Sequence, residues 1–407
     1  MPNTNATPAW RCDAPVGEAG RAWQRLPNIF GVYALKGGGQ LNRPLHSKRT
    51  TEGHCAPGQL TPNGFEQHLG LGRHLSRAFA PLLAEVAAAV GNGTAISELL
   101  HVRSTDYTRT QMSAAALVSG LLMPAGLLPR TLRREGQLPL QIVAEQHEAN
   151  DVLHGVGLSL SSKVHGQDGG GERERRGSCH AAATLASAQM AAWPRDGAAE
   201  GGLRALFGEA AGRMNTTHAA DVLYAHACHR KPPPCSLGRG CVDRALQRAV
   251  WARADRHYCE RFSGARGGLR SSQLAMLPLL REVTSRLGRA ATADGVRLAL
   301  FSGHDTVVAP LLAAIGGTAA PGACSWPPYA SRVVFELWQP PASRRAADAA
   351  VRVLFNGDVI TRHVIGCAAA PEPLLTDGLC PLPAFAAAVE ALVRPHADFE
   401  AACASET

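Results

Sequence analysis

The stretch VRLALFS, residues 296–302, runs without a break into GHDTVVAPLLAAIGG, and no other feature narrows the possible folds as far. An apolar run of strand length opens at once into a helical pattern that stops at Gly316-Gly317. A buried strand feeding a helix is the unit of a parallel sheet covered by helices. The same order recurs upstream, where a short strand around Leu99–Val102 leads through the polar turn STDYTRT into MSAAALVSGLL, a small-residue helix. LPLQIVAEQ (137–145), RVVFELWQ and VRVLFNGDVI read as further strands, the last broken by an Asn356-Gly357 turn signal. LTPNGFEQHLGLGRHLSRAFA reads as a helix with Thr61 as N-cap, Pro62 in its first turn and Phe65, Leu69, Leu75 and Phe79 near helical spacing. The expected fold class is α/β.

Gly and Pro punctuate residues 1–58, with GGG at 37–39, so an irregular N-terminal segment is expected there. Residues 59–149 and 291–395 carry the strand–helix alternation of a core. Residues 150–290 carry mostly helical stretches (180–193, 217–228, 241–262), expected to form an inserted cap lobe. HGQDGGGERERRG (165–177) reads as a solvated loop, 382–393 as the last helix and 396–407 as a tail.

Net charge is +8, which suits an anionic partner: a phosphate ester, a sulfated glycan or nucleic acid. The arginines are spread thinly without interleaved aromatics, which argues against nucleic acid. Eleven cysteines and the N-x-[ST] sequons at Asn5, Asn92 and Asn215 favour a secretory-pathway lumen. The stretch MPNTNATPAW has neither the charged nor the apolar region of a signal peptide, and the best apolar run, Ala78 to Val90, is short and contains Glu85. Such a body is either cytosolic or continues upstream of Met1, and the second reading is preferred. His226, Cys228, His229, Cys235 and Cys241 resemble a metal cluster, but their spacing fits no tight C-x-x-C pair; disulfides are expected and no metal. His180 precedes an Ala-rich helix and reads as a capping or surface residue.

Chemistry concentrates at two turns. In Ser302-Gly303-His304-Asp305 a strand ends where a helix begins, so free N–H groups and the positive dipole end favour a phosphate. His304 can hydrogen-bond a phosphoryl oxygen, and a protonated Asp305 can hand its proton to a leaving alkoxide. Alone, His-Asp is also an ordinary helix start with a capping carboxylate. In Val102-Arg103-Ser104-Thr105-Asp106-Tyr107-Thr108-Arg109-Thr110, Arg109 sits just before the helix with a planar fork that fits phosphoryl oxygens. Alone, it is also an ordinary surface arginine. Two turns of one geometry predict that they meet at one sheet edge.

GQLTPNGFEQHLGLGRHL, VRSTDYTRTQMSA and LALFSGHDTVVAPLLAAIG stand in the order of three signature blocks and resemble histidine acid phosphatases. HACHRKPPPCSLGRGCVD, RVVFELWQ, VRVLFNGDVITRHVIGC and CPL at 380–382 are similar to the branch that removes the 2-phosphate of xylose in the glycosaminoglycan–protein linkage region. The resemblance implies a histidine-phosphatase, phosphoglycerate-mutase-like Rossmann-like core with a helical cap and no cofactor. It implies a Golgi-lumenal enzyme, anchored by an upstream segment, acting on phosphorylated xylose of the proteoglycan linkage tetrasaccharide. Asp305 matches the proton donor, and Arg109 and His304 match phosphate-binding residues; Arg103 fits its block but lies outside the pocket.

The family nucleophile lies in R-H-G-x-R-x-P, which these 407 residues lack. Arg73-His74-Leu75-Ser76-Arg77 matches R-H-x-x-R by letter only, inside the helix after Thr61, with Leu75 where glycine would let backbone approach phosphate. The neighbours of a missing central strand are expected to expose unpaired backbone groups. A sugar-specific phosphomonoesterase, a broader acid phosphatase and a non-catalytic phosphate- or glycan-binding relative all remain open.

Overall fold

A computed structural model describes residues 17–34, 43–44, 58–127, 140–144, 153, 179–191, 197–208, 216–292 and 295–405. Its strands are β1 Phe30–Ala34, β2 Arg43–Pro44, β3 Leu100–Ser104, β4 Leu140–Ala144, β5 Cys235–Ser236, β6 Gly240–Cys241, β7 Leu298–Ser302, β8 Val333–Trp338, β9 Ala350–Phe355, β10 Asp358–Val359 and β11 Cys380–Pro381. The helices that place the site are α1 Gly17–Ile29, α2 Pro62–Ala78, α3 Thr108–Leu122, α4 Thr216–Cys228, α5 Arg244–Ser263, α6 Gly268–Ala291 and α7 Asp305–Ala314.

One sheet has the order β2-β1-β4-β3-β7, parallel except for β2. A second, antiparallel sheet has β8 along one edge of β9 and the short β10 and β11 on the other. Asn356 and Gly357 at the β9–β10 turn both take positive φ, 54° and 108°, as the Asn-Gly signal requires. β5 and β6 form a hairpin closed by the Cys235–Cys241 disulfide.

The N-terminal expectation needs correction. Within residues 1–58 the described portion is helix and strand, and β1 lies inside the parallel sheet beside β4. Ala22, Trp23, Leu26 and Ile29 fall on one face of α1 and are buried, so the segment is amphipathic despite its Gly and Pro punctuation. The loop 165–177 lies outside the described residues, as do Asn5 and Asn215; Asn92 is exposed where its helix ends.

The smaller of the two main cores lies against the first sheet, with Trp23, Phe30, Phe65, Leu69, Val118 and Ile142. The larger is built around α6 and α7 and includes Leu274, Leu277, Leu312, Val353 and Phe385. A third cluster joins Leu203, Phe207, Leu223 and Val250. α2 and α3 cross at two glycines. A Cβ on Gly72 would lie 2.1 Å from the Leu117 carbonyl, and one on Gly120 would lie 2.1 Å from that of Leu69. Such a contact fixes how α3, and with it Arg109, stands on the sheet.

β7 ends its sheet and β8 ends the other, each with one edge unpaired among the described residues. Both border the larger core, through Phe301 of β7 and Val333, Phe335 and Leu337 of β8.

Disulfides join Cys179–Cys403, Cys235–Cys241, Cys259–Cys324 and Cys367–Cys380, while Cys228 keeps a free thiol. No described helix is long and apolar enough to cross a membrane.

Gly120→Ala should lose about 1–3 kcal/mol of stability by overpacking the α2–α3 crossing, read as a lower denaturation midpoint. Burial holds His68, His101 and His257 down at about 4, against an ordinary 6.5. Between those values the unfolded chain binds protons that the folded chain refuses, so stability falls as pH falls through that window. Calorimetry should therefore show the melting temperature dropping from pH 6.5 towards pH 4, less steeply in His257→Gln; a level profile contradicts this.

Candidate active site

β3 and β7 pair in register from Leu100↔Leu298 to Ser104↔Ser302, so their carboxyl ends finish level. The ladder continues one step further, with Thr105 N donating to Ser302 O at 3.1 Å. Ser302 Oγ donates to Thr110 O at 2.8 Å, tying the strand to the first turn of α3. Two strand-to-helix turns thus leave the sheet side by side, where ligands bind in open α/β sheets. Arg109 is the second residue of α3, His304 is the N-cap of α7, and Asp305 is the first residue of α7.

The three residues singled out in the sequence meet here. Arg109 Nη2 lies 3.4 Å from His304 Nδ1, and Asp305 is the next residue. A guanidinium only donates, so Nδ1 accepts and the ring carries its proton on Nε2. Nε2 lies 3.1 Å from Thr105 Oγ1, which lies 2.7 Å from Thr110 Oγ1. Thr110 Oγ1 donates to Tyr107 O at 2.8 Å. The bonds then run one way: His304 donates to Thr105, Thr105 to Thr110, and Thr110 to the backbone. Tyr107 packs its ring under Arg109, 4.3 Å from the guanidinium carbon, and edge-on to His304 at 5.1 Å. Gly58, at φ +72°, brings backbone against the other side of the guanidinium; a Cβ there would lie 3.2 Å from Arg109 Nη1.

Asp305 is held from the helical side. Tyr258 OH of α5 and Trp326 Nε1 (2.7 Å) both donate to Oδ2, leaving Oδ1 without a hydrogen bond among the described residues. Burial and the neighbouring carboxylate push the Tyr258 phenol up, so it stays a donor. Trp326 stacks on Tyr258 at 4.8 Å and meets Tyr224 of α4 edge-on at 5.5 Å; Tyr224 in turn stacks on Trp251 at 4.7 Å. The Trp326 segment is pinned to α5 by the Cys259–Cys324 bridge and by Trp326 N donating to Asp255 Oδ1 at 3.2 Å. Chemically, a guanidinium and an imidazole face one point, with a carboxyl beside them that has one oxygen fixed and one open.

Arg103 lies elsewhere. It is buried on the face of β3 that meets α6, with Nη1 2.9 Å from Glu282, which also binds Arg286. Arg73-His74-Leu75-Ser76-Arg77 is inside α2, with Leu75 packed against the core and Arg73 2.7 Å from Glu18. His180 is the exposed first residue of its helix. Among the described residues no three His, Cys, Asp or Glu side chains converge as metal ligands. Sequence reasoning missed Thr105, Thr110, Tyr258 and Trp326. The threonines were visible in STDYTRT, but nothing in their spacing shows a relay. Tyr258 reads as an ordinary core aromatic of a helix, and the only signal beside Trp326 is Cys324.

A hydrogen bond to a charged acceptor contributes about 1.5–3 kcal/mol. Denaturation of Tyr258→Phe, Asp305→Ala and the double variant should therefore give a coupling of that order. Additive losses would mean the contact carries no energy.

The sequence profile of the histidine phosphatase superfamily (branch 2) matches residues 28–184 and 261–356. The chain is 29% identical over 175 residues to human 2-phosphoxylose phosphatase 1, a match covering 42% of this chain and 34% of that protein, so it spans about a third of that relative's length. It is 27% identical over 382 residues to the zebrafish (Danio rerio) protein of the same name, covering 88% of this chain and 69% of that one. Counting factor 60 of Dictyostelium discoideum is 25% identical over 363 residues, covering 87% and 73% of the two chains. The phytase of Hafnia alvei in complex with myo-inositol hexakis sulphate superposes with TM-score 0.52 at 16% identity over 92% of this chain and 96% of its own. At 14% identity the Citrobacter braakii phytase gives TM-score 0.50 over 98% and 97%. The phytases show the fold alone; the profile spans more than half of the sequence, and the chain belongs to the histidine phosphatase superfamily, branch 2.

Proposed function

We propose that this site grips a phosphate monoester on a sugar, and that the chain serves a phosphomonoesterase removing the 2-phosphate of xylose in the glycosaminoglycan–protein linkage region. The observation that carries the reading is the convergence of Arg109, His304 and Asp305 at one sheet edge. Arg109 presents two parallel donors to phosphoryl oxygens. The phosphate enters between the guanidinium and the imidazole, taking the Arg109 donor from Nδ1 and accepting from His304 once Nδ1 carries a proton. Asp305 Oδ1 faces the bridging oxygen as its proton donor, Oδ2 being held by Tyr258 and Trp326. The aromatic rings beside Asp305 suit the less polar face of a sugar ring, since small-molecule sites combine apolar walls with a few placed polar groups. The names of the vertebrate relatives supply the xylose.

Because these 407 residues hold no R-H-G-x-R-x-P, the reading leaves the phosphoryl acceptor external to them. A Golgi lumen fits the four disulfides among the described residues, since such bonds persist in oxidising compartments.

Calorimetric titration tests the reading with a xyloside 2-phosphate, orthophosphate, an aryl phosphate and myo-inositol hexakisphosphate. The xyloside phosphate should bind at least about tenfold tighter than orthophosphate. Arg109→Met should weaken both by about 10-fold or more, the equivalent of charge-assisted bonds. The 407-residue chain should not turn over the aryl phosphate. Unchanged affinity in Arg109→Met sinks the pocket, equal affinity across the panel sinks the sugar, and rapid turnover sinks the external acceptor.

A further inference from the structure

The buried Arg103 and the partly buried Arg253 and Arg286 each hold a carboxylate within 2.8–3.0 Å: Glu282, Glu200 and Glu282 respectively. Arg261 does not. Its Nε is shut away from solvent with no hydrogen-bond partner, and it has no ion pair within 4 Å among the described residues. Its guanidinium carbon lies over the Phe262 ring at 4.8 Å. Arg261 stands one turn beyond Tyr258 on α5, hence on the same helix face. Tyr258 is the residue whose hydroxyl reaches Asp305. The fields of Tyr258 and Asp305 act on Arg261, and burial, aided by Arg261 and then Arg253, holds His257 in its neutral form. The side chain thus adds positive charge beside the proposed proton donor, with no carboxylate within ion-pair distance among the described residues.

Withdrawing even part of a guanidinium from water without a partner is costly, which is why such charges are normally paired, and Arg261 is partly buried with its Nε shut away. An unpaired one beside a pocket is explained if its counter-ion comes and goes. A phosphoryl group has three terminal oxygens, and the fork of one arginine takes two. We propose that Arg261 is a second phosphate-holding guanidinium, supplied by α5 rather than by the sheet edge, which pairs with the terminal oxygen that Arg109 leaves free. This rests on the phosphate-pocket reading above. Arg109 then approaches the ester from the sheet side and Arg261 from the helical side, with Asp305 between them. Binding the anion neutralises the charge, so the side chain is destabilising when the pocket is empty and stabilising when it is filled.

Two measurements on the 407-residue chain test this, with orthophosphate as the probe. Without ligand, Arg261→Met should melt at the same temperature as the parent or higher, because no hydrogen bond or ion pair is lost and the methionine can still cover the Phe262 ring. With ligand, Arg261→Met should bind orthophosphate about tenfold more weakly or worse, by the arithmetic of one lost charge-assisted bond. Arg261→Lys, which keeps the charge and should fold even if the methionine variant does not, should recover part of the affinity. A lower melting point with undiminished affinity makes Arg261 a structural residue and overturns the proposal. If Arg109→Met loses affinity while Arg261→Met and Arg261→Lys do not, this inference fails and the pocket stands. If all three variants bind as the parent does, the pocket reading itself has failed.

Discussion

The parallel pairing of β3 with β7 is the constraint from which the site follows. Because Ser104 and Ser302 stand opposite one another, the turns that follow them leave the sheet at the same height. A slip of one residue would turn Leu298 and Leu300 away from the smaller core and would also part the two turns, so burial fixes the register and the register fixes the site. The α2–α3 crossing then sets the tilt of the helix that carries Arg109, through a backbone contact that only two glycines permit.

Two kinds of support meet at this sheet edge. From the sheet side, a chain of hydroxyls takes up the His304 proton and ends on a backbone carbonyl, which leaves Nδ1 as the atom facing Arg109. From the helical side, Tyr258 and Trp326 direct both their donors to one oxygen of Asp305. Trp326 packs against both the larger core and the third apolar cluster, so the group that steadies the acid also joins two bodies of packing.

Much of this was written in the sequence. The strand-into-helix step at 296–315 and its counterpart at Leu99–Leu122 locate Arg109, His304 and Asp305, because the pattern is local and each turn follows directly on an apolar run. The β9–β10 hairpin was legible for the same reason, in an Asn-Gly pair between apolar stretches. α1 was overlooked because its glycines and Pro27 obscured a four-residue apolar face. Tyr258 and Trp326 could not have been found, since they reach Asp305 from 47 and 21 residues away and nothing periodic links them to it. Disulfide partners were equally illegible, Cys179 and Cys403 being 224 residues apart.

The Cys259–Cys324 bridge has a reach beyond cross-linking. It is a covalent tie in the segment that presents the Trp326 indole, and Asp255 adds only a single hydrogen bond to that segment. An oxidant is therefore part of what assembles the carboxyl's surroundings. In a reducing solution the indole would be held only by noncovalent contacts, its stack on Tyr258 and its bond to Asp305 among them, and the grip on the carboxyl would loosen from that side.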